Sequence, residues 1–259
     1  MIEHFQVDSI KIACRVNGRD FGKHKQSLFF IHGSGGDHSL WSFQYAPLRK
    51  DFNIVAVDLP GHGSSEGRSE TDVAAYSFWV KKLLDVLRLP NTILAGHSLG
   101  AAIALNFAAN FAQTIKGVAA VGGGLKMPVN PSIFELLRTA PESAFELICK
   151  FSLARENRAK FAEPLKKSMA AANIDALYND LVACDKTDLA EKVKKINLPS
   201  LIICGEEDKM TPPQLSREIA ANIHGSKTCF IKGAGHMVMM EKADEFNEAL
   251  ISFAQSIPV

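Results

Sequence analysis

Gly96-His97-Ser98-Leu99-Gly100 stands between the apolar run Thr92-Ile93-Leu94-Ala95 and the small-residue run Ala101-Ala102-Ile103-Ala104-Leu105. Gly-x-Ser-x-Gly between a strand and a helix is the sequence form of a sharp turn that exposes one serine hydroxyl. Such a hydroxyl is a weak nucleophile until a base removes its proton. The base is commonly a histidine, held in one tautomer by a carboxylate. Ser98 Oγ is therefore the expected centre of the chemistry, and its partners are sought in later strand-ending loops. Gly205-Glu206-Glu207-Asp208-Lys209-Met210-Thr211-Pro212 follows the run Leu201-Ile202-Ile203-Cys204. Gly233-Ala234-Gly235-His236-Met237 follows Cys229-Phe230-Ile231. Both sit where open α/β sheets place ligands. The second loop supplies His236. The first offers three carboxylates, and spacing alone does not separate Asp208 from Glu206 and Glu207.

Attack on a carbonyl builds negative charge on its oxygen, which backbone N–H groups can hold. One donor is expected from Leu99, at a helix N-terminus whose dipole favours an anion. The other is expected from the loop after Leu28 to Ile31, which reads His32-Gly33-Ser34-Gly35-Gly36. Ser34 is the candidate there, through its backbone N–H, with glycines letting the chain fold close to a substrate.

The elements that must carry these loops are legible as short apolar runs. Residues 2–16 alternate in phase (Ile10, Ile12, Cys14, Val16) and read as one or two antiparallel strands. Leu28–Ile31, Ile54–Val57, Thr92–Ala95, Val118–Val121, Leu201–Cys204 and Thr228–Ile231 read as strands buried on both faces. Helical patterns over 71–88, 99–111, 213–223 and 243–256 alternate with them, which implies a mostly parallel sheet with helices on both faces. The alternation stops between Gly124 and Pro199. There Ser132–Arg138, Glu142–Phe151, Arg155–Ala171 and Asp175–Cys184 show helical spacing, punctuated by Pro131, Pro141 and Pro164. The expected organisation is a core over 1–124 and 197–259, interrupted by a helical insertion over 125–196.

Composition narrows the function. The 259 residues are 47% hydrophobic, enough for a substantial core, and 29 basic against 28 acidic residues leave a net charge of +1. That balance gives no sign of a basic nucleic-acid face, and no nucleic-acid partner is expected. No apolar run approaches the ~18 residues that span a bilayer, and no secretory signal is visible at the N-terminus. Cys14, Cys149, Cys184, Cys204 and Cys229 are scattered without metal spacing and read as reduced thiols. A cytoplasmic location, a small-molecule substrate, and a monomer or homodimer are expected. Gly33-Ser34-Gly35-Gly36 with Asp58 downstream imitates a dinucleotide loop, but the third glycine would fall at His38. No nucleotide cofactor and no metal are expected.

Taken together, His32–Gly36, Asp58-Leu59-Pro60-Gly61-His62-Gly63-Ser64-Ser65, Gly96–Gly100, Gly205–Asp208 with Thr211-Pro212, and Gly233–His236 resemble the α/β-hydrolase superfamily, in the group with a helical cap. The resemblance covers nearly all the chain outside the insertion. It implies an eight-stranded, mostly parallel sheet, a cap over the site, and a serine hydrolase without cofactor. Ser98 is then the nucleophile, Asp208 the acid, His236 the base, and His32 and His97 are scaffold residues, while His62 reads as a turn residue with a place at the pocket border as the alternative. In the insertion, Phe134, Leu137, Phe145, Ile148, Phe151, Leu153, Phe161 and Met169 hold the cap together or dock it, and some line an apolar pocket. Lys150, Arg155, Arg158, Lys160, Lys166 and Lys167 read as a solvated face, with one of them meeting a substrate carboxylate as the alternative. Hydrolysis of a small ester with an apolar portion leads. Cleavage of a C–C bond or an enol-lactone, and ligand reception on the same fold, stand behind it. Relatives that cleave C–C bonds tend to carry an asparagine after the glycine loop and Cys and Trp beside the histidine. This chain has Trp41-Ser42-Phe43-Gln44, and Gly235 and Met237, at those places.

Overall fold

The apolar runs become the strands of one sheet. The computed structural model describes residues 1–258, with Arg19 as backbone only. In chain order the elements are β1 (Ile2–Val7), β2 (Ile10–Val16), β3 (Ser27–Ile31), α1 (Ser42–Leu48), β4 (Asn53–Val57), α2 (Val73–Leu87), β5 (Thr92–His97), α3 (Leu99–Asn110) and β6 (Gly117–Val121). There follow α4 (Pro131–Thr139), α5 (Pro141–Ser152), α6 (Arg158–Ala171), α7 (Ile174–Asp185), α8 (Ala190–Val193), β7 (Ser200–Gly205), α9 (Pro213–Asn222), β8 (Lys227–Ile231), α10 (Val238–Glu241) and α11 (Ala243–Gln255).

The eight strands lie in the order β1-β2-β4-β3-β5-β6-β7-β8. β2 is antiparallel to β1 and β4, and every pairing from β4 to β8 is parallel. The carboxyl ends of β3 to β8 therefore share one edge. Successive side chains of a strand point to opposite faces, so each central strand feeds two cores. Phe29, Val55, Leu94 and Ala120 pack with α2 and α3 on one face. Phe30, Ile54, Ala95 and Val121 pack with Trp41, Phe246 and Leu250 on the other. Burial on both faces explains why these strands read as continuous apolar runs rather than alternating ones.

Helices α4 to α8 fill the interval between β6 and β7. Asn130 accepts from Ser132 N–H to cap α4, and Pro131 and Pro141 occupy the first turns of α4 and α5, where a missing N–H costs nothing. Pro164 differs from expectation. It lies inside α6 rather than at a boundary, forgoing one bond to the carbonyl four residues back. Leu137, Ala144, Phe145, Leu177 and Leu181 form a core within the insertion, with Phe134 and Met169 against it. Leu153 and Phe161 dock instead on Met237, next to His236. Ile148 is half-buried and Phe151 exposed. No helix among the described residues is long and apolar enough to cross a membrane.

Candidate active site

Ser98 sits at the junction of β5 and α3 with φ 55° and ψ −115°, a conformation that costs a non-glycine residue free energy and recurs at functional sites. The neighbouring glycines make the turn possible. A Cβ on Gly96 would lie 1.9 Å from the Gly100 carbonyl oxygen, and one on Gly100 would lie 2.4 Å from that of Ile31. Ser98 N–H donates to the Val121 carbonyl at 2.9 Å, tying the turn to the end of β6. The side chain is half-buried, and Leu99 and Gly100 begin α3, where amides have no intrahelical acceptor.

Asp208 and His236 meet across the loops after β7 and β8. His236 Nδ1 donates to Asp208 Oδ2 at 2.8 Å, and both side chains are buried. Thr211 Oγ1 donates to the same oxygen at 2.9 Å, while Oδ1 accepts from Met210 and Thr211 N–H at 2.8 and 2.9 Å. Burial alone would raise the Asp208 pKa, but the His236 contact and the Thr211 donors outweigh it and hold it below the usual carboxylate range. Glu206 and Glu207 are exposed. The loop thus turns one of its three carboxylates inward, a distinction the sequence spacing did not make. Gly122, at the end of β6, leaves room for this pair: a Cβ there would sit 3.2 Å from His236 Nδ1 and 3.3 Å from Asp208 Oδ2.

Two buried histidines brace the surrounding backbone. His97 Nε2 donates to the His236 carbonyl at 3.0 Å, and the two rings lie 4.5 Å apart. Burial, then the neighbouring His236, push the His97 pKa down to about 3. His32 Nδ1 donates to the Gly33 carbonyl at 2.8 Å while its Nε2 accepts from Leu59 N–H at 3.1 Å. That pair of contacts fixes a neutral ring. Burial, then His62, push its pKa down to about 4. Gly36 N–H also donates to the Gly33 carbonyl, at 3.1 Å, closing the turn that carries Ser34, with Gly35 at φ 64°.

Two buried carboxylates join the insertion to these loops. Asp180, on α7, accepts from Gly35 N–H at 2.8 Å, His62 Nε2 at 2.9 Å and Tyr76 Oη at 2.5 Å. Glu241 accepts from Gly235 N–H at 2.9 Å, Ala154 N–H at 2.9 Å and Asn157 Nδ2 at 2.8 Å. Burial raises the Glu241 pKa despite these donors. Sequence reasoning assigned a role to neither. A faint signal existed for Asp180, which lies on the stripe Leu177, Leu181, Cys184 at helical spacing. Among the described residues, Asp37, His38 and Asp58 approach one another as metal ligands would. Asp58, however, is taken up by His38 N–H, His38 Nδ1 and Ser64 N–H at 2.7, 2.8 and 2.9 Å. That makes it a loop staple.

With the sheet order, the elbow and the converging loops in view, comparison with known proteins gives the class. Residues 28–249 match the profile described as alpha/beta hydrolase family, and the chain belongs to that family. A solved thermophilic esterase is 32% identical, with a TM-score of 0.85 over 98% of both chains. A 2-hydroxy-6-oxononadienedioate/2-hydroxy-6-oxononatrienedioate hydrolase from Paraburkholderia phymatum is 25% identical over 92% of this chain and 90% of its own. The dihydrolipoyllysine-residue acetyltransferase component of an acetoin cleaving system from Pseudomonas putida is 27% identical over 87% of this chain, which spans 62% of that protein's length. The chain is thus a hydrolase of the α/β type.

Proposed function

We propose that the protein hydrolyses a small carboxylic ester with an apolar acyl or alcohol portion, through an acyl-enzyme on Ser98. His236 takes the Ser98 proton as Oγ attacks the carbonyl. The N–H groups of Ser34 and Leu99 hold the oxyanion. His236 then protonates the departing alcohol and later activates water for deacylation. Asp208 orients the imidazole and stabilises its charged form. Helices of the 125–196 insertion act as the cap, and the five unpaired cysteines fit a reducing cytoplasm.

The observation that carries this reading is the buried 2.8 Å bond between His236 Nδ1 and Asp208, two loops away from a serine held at φ 55°. It leaves Nε2 as the basic nitrogen. The preference for an uncharged substrate rests on the cation inventory: among the described residues no lysine or arginine is buried. Lys150, Arg155, Lys160 and Lys167 are exposed, Lys166 pairs with Glu146 at 3.0 Å, and Arg158 donates to the Lys150 carbonyl. A dicarboxylate, as in the name of the Paraburkholderia relative, is best held by charge-assisted bonds to a cation, and of these six only Lys166 and Arg158 are even half-buried. The test is hydrolysis of p-nitrophenyl esters of graded chain length by wild type and Ser98→Ala. Activity is expected on short and medium acyl chains and loss to background in the variant. Equal rates in both would sink the reading.

A further inference from the structure

One face of α7 lies directly on the turn that carries Ser34. Leu177 covers Gly35, its Cδ1 3.0 Å from where a Cβ on that glycine would stand. One turn on, Asp180 accepts the Gly35 N–H at 2.8 Å. Another turn on, Cys184 Sγ lies 3.6 Å from Ser34 Oγ. The spacing of three, four and seven residues places all three on the same side of the helix.

The two peptide units that flank Ser34 are consequently held from opposite directions. The Gly33–Ser34 unit is held through its carbonyl, which accepts from His32 Nδ1 at 2.8 Å and Gly36 N–H at 3.1 Å. In a planar trans peptide the N–H points opposite to the carbonyl, so those bonds aim the Ser34 N–H away from the turn. The Ser34–Gly35 unit is held through its N–H, and the acceptor is Asp180. His32 belongs to the core, whereas Asp180 belongs to the insertion. The carboxylate is itself fixed: it is fully buried, and His62 Nε2 and Tyr76 Oη donate to it at 2.9 and 2.5 Å. His62 Nδ1 faces the Pro60 carbonyl at 3.1 Å. Both ring nitrogens of His62 thus meet acceptors, which suits an imidazolium as counter-ion.

We propose that Asp180 is a positioning residue for the oxyanion hole, holding the Ser34 turn so that its amide faces the reacting oxygen only while α7 is seated on the core. The insertion then serves turnover as well as covering the substrate. This rests on the Ser98 acyl-enzyme reading above. Loss of a whole oxyanion donor costs ~10²–10³ in rate, and misaiming one costs less, on the order of 10–100-fold in kcat. KM should stay within about threefold, because the ground-state carbonyl makes little use of the hole.

The experiment compares wild type, Ser98→Ala, Asp180→Ala, Asp180→Asn and Tyr76→Phe on p-nitrophenyl butyrate, with phenylboronic acid as a tetrahedral anionic mimic. Asp180→Ala is expected to lose kcat as stated and to lose boronate affinity in parallel. Asp180→Asn, whose amide oxygen still accepts from Gly35, should recover most of both. Tyr76→Phe frees one carboxylate oxygen and leaves the Gly35 bond in place, so it should lower Tm and cost clearly less kcat than Asp180→Ala. If the unpaired His62 charge prevents Asp180→Ala from folding, Asp180→Ala/His62→Gln takes its place with the same expectation. Unchanged kcat and boronate affinity on loss of the Asp180 acceptor would overturn the proposal. So would equal kcat losses in Tyr76→Phe and Asp180→Ala, which would mark a general loosening. Undiminished activity in Ser98→Ala refutes the parent reading instead.

Discussion

Acidification from pH 7 to pH 5 should destabilise the fold through two buried histidines. His32 is fully buried and His97 nearly so, with pKa values pushed down to about 4 and about 3 by burial and then by the neighbouring rings of His62 and His236. In the unfolded chain each titrates near ~6.5. Below that value the unfolded state takes up protons that the folded state refuses, so stability falls as pH falls. At ~1.36 kcal/mol per proton and pH unit, each histidine costs about 2 kcal/mol by pH 5, and the pair about 4 kcal/mol. That is a large part of the ~5–15 kcal/mol typical of a domain. His38 and His62 act in the other direction, because their folded pKa values are raised. Burial opposes the His62 shift, but Asp180 outweighs it; for His38 the bond to Asp58 leads. Their contribution is complete below ~6.5 and is lost as pH rises through the folded values. Asp58 and Asp208, held low, begin to lose stability only below their ordinary range, near 3.8. Urea unfolding at pH 7, 6 and 5, followed through the fully buried Trp41, reads the slope. His97→Gln, which keeps a donor for the His236 carbonyl, should show about half the loss, roughly 2 kcal/mol. Stability that stays flat from pH 7 to 5, or a His97→Gln variant with the full slope, would mean that His32 and His97 are not held neutral in the folded state.

Three further outcomes follow from the same geometry. Asp208→Asn keeps the shape but not the charge that steadies the imidazolium, and kcat should fall roughly 10³–10⁴-fold in steady-state ester hydrolysis. Gly33→Ala places a Cβ 2.8 Å from His97 Nδ1 and 3.2 Å from Ser98 Cβ; thermal melts should show about 1–3 kcal/mol of destabilisation, with reduced kcat. Glu241→Gln leaves one of its three donors facing an NH2 group, costing about 1–3 kcal/mol, read as a lower Tm.

Much of the fold is legible because each central strand is a short apolar run that both cores use, as Leu28–Ile31 and Leu201–Cys204 illustrate. The elbow is legible because contacts of 1.9 and 2.4 Å would exclude any side chain at Gly96 and Gly100. The short helices α1, α8 and α10 left no usable periodicity. The insertion's anchoring is invisible for a different reason. Asp180 meets its three donors across 104 to 145 residues of chain, and Glu241 reaches back 84 to 87 residues to the insertion. Local spacing says nothing about such pairs. It also could not rank Glu206, Glu207 and Asp208, because only the turn made with Thr211 decides which carboxylate faces inward.

Peptide-level mass spectrometry after reaction with a fluorophosphonate shows whether Ser98 Oγ is the group that is acylated. One adduct is expected, on the peptide carrying Ser98, absent in Ser98→Ala and formed far more slowly in His236→Ala. An adduct on another serine, or labelling that persists in Ser98→Ala, would contradict that assignment.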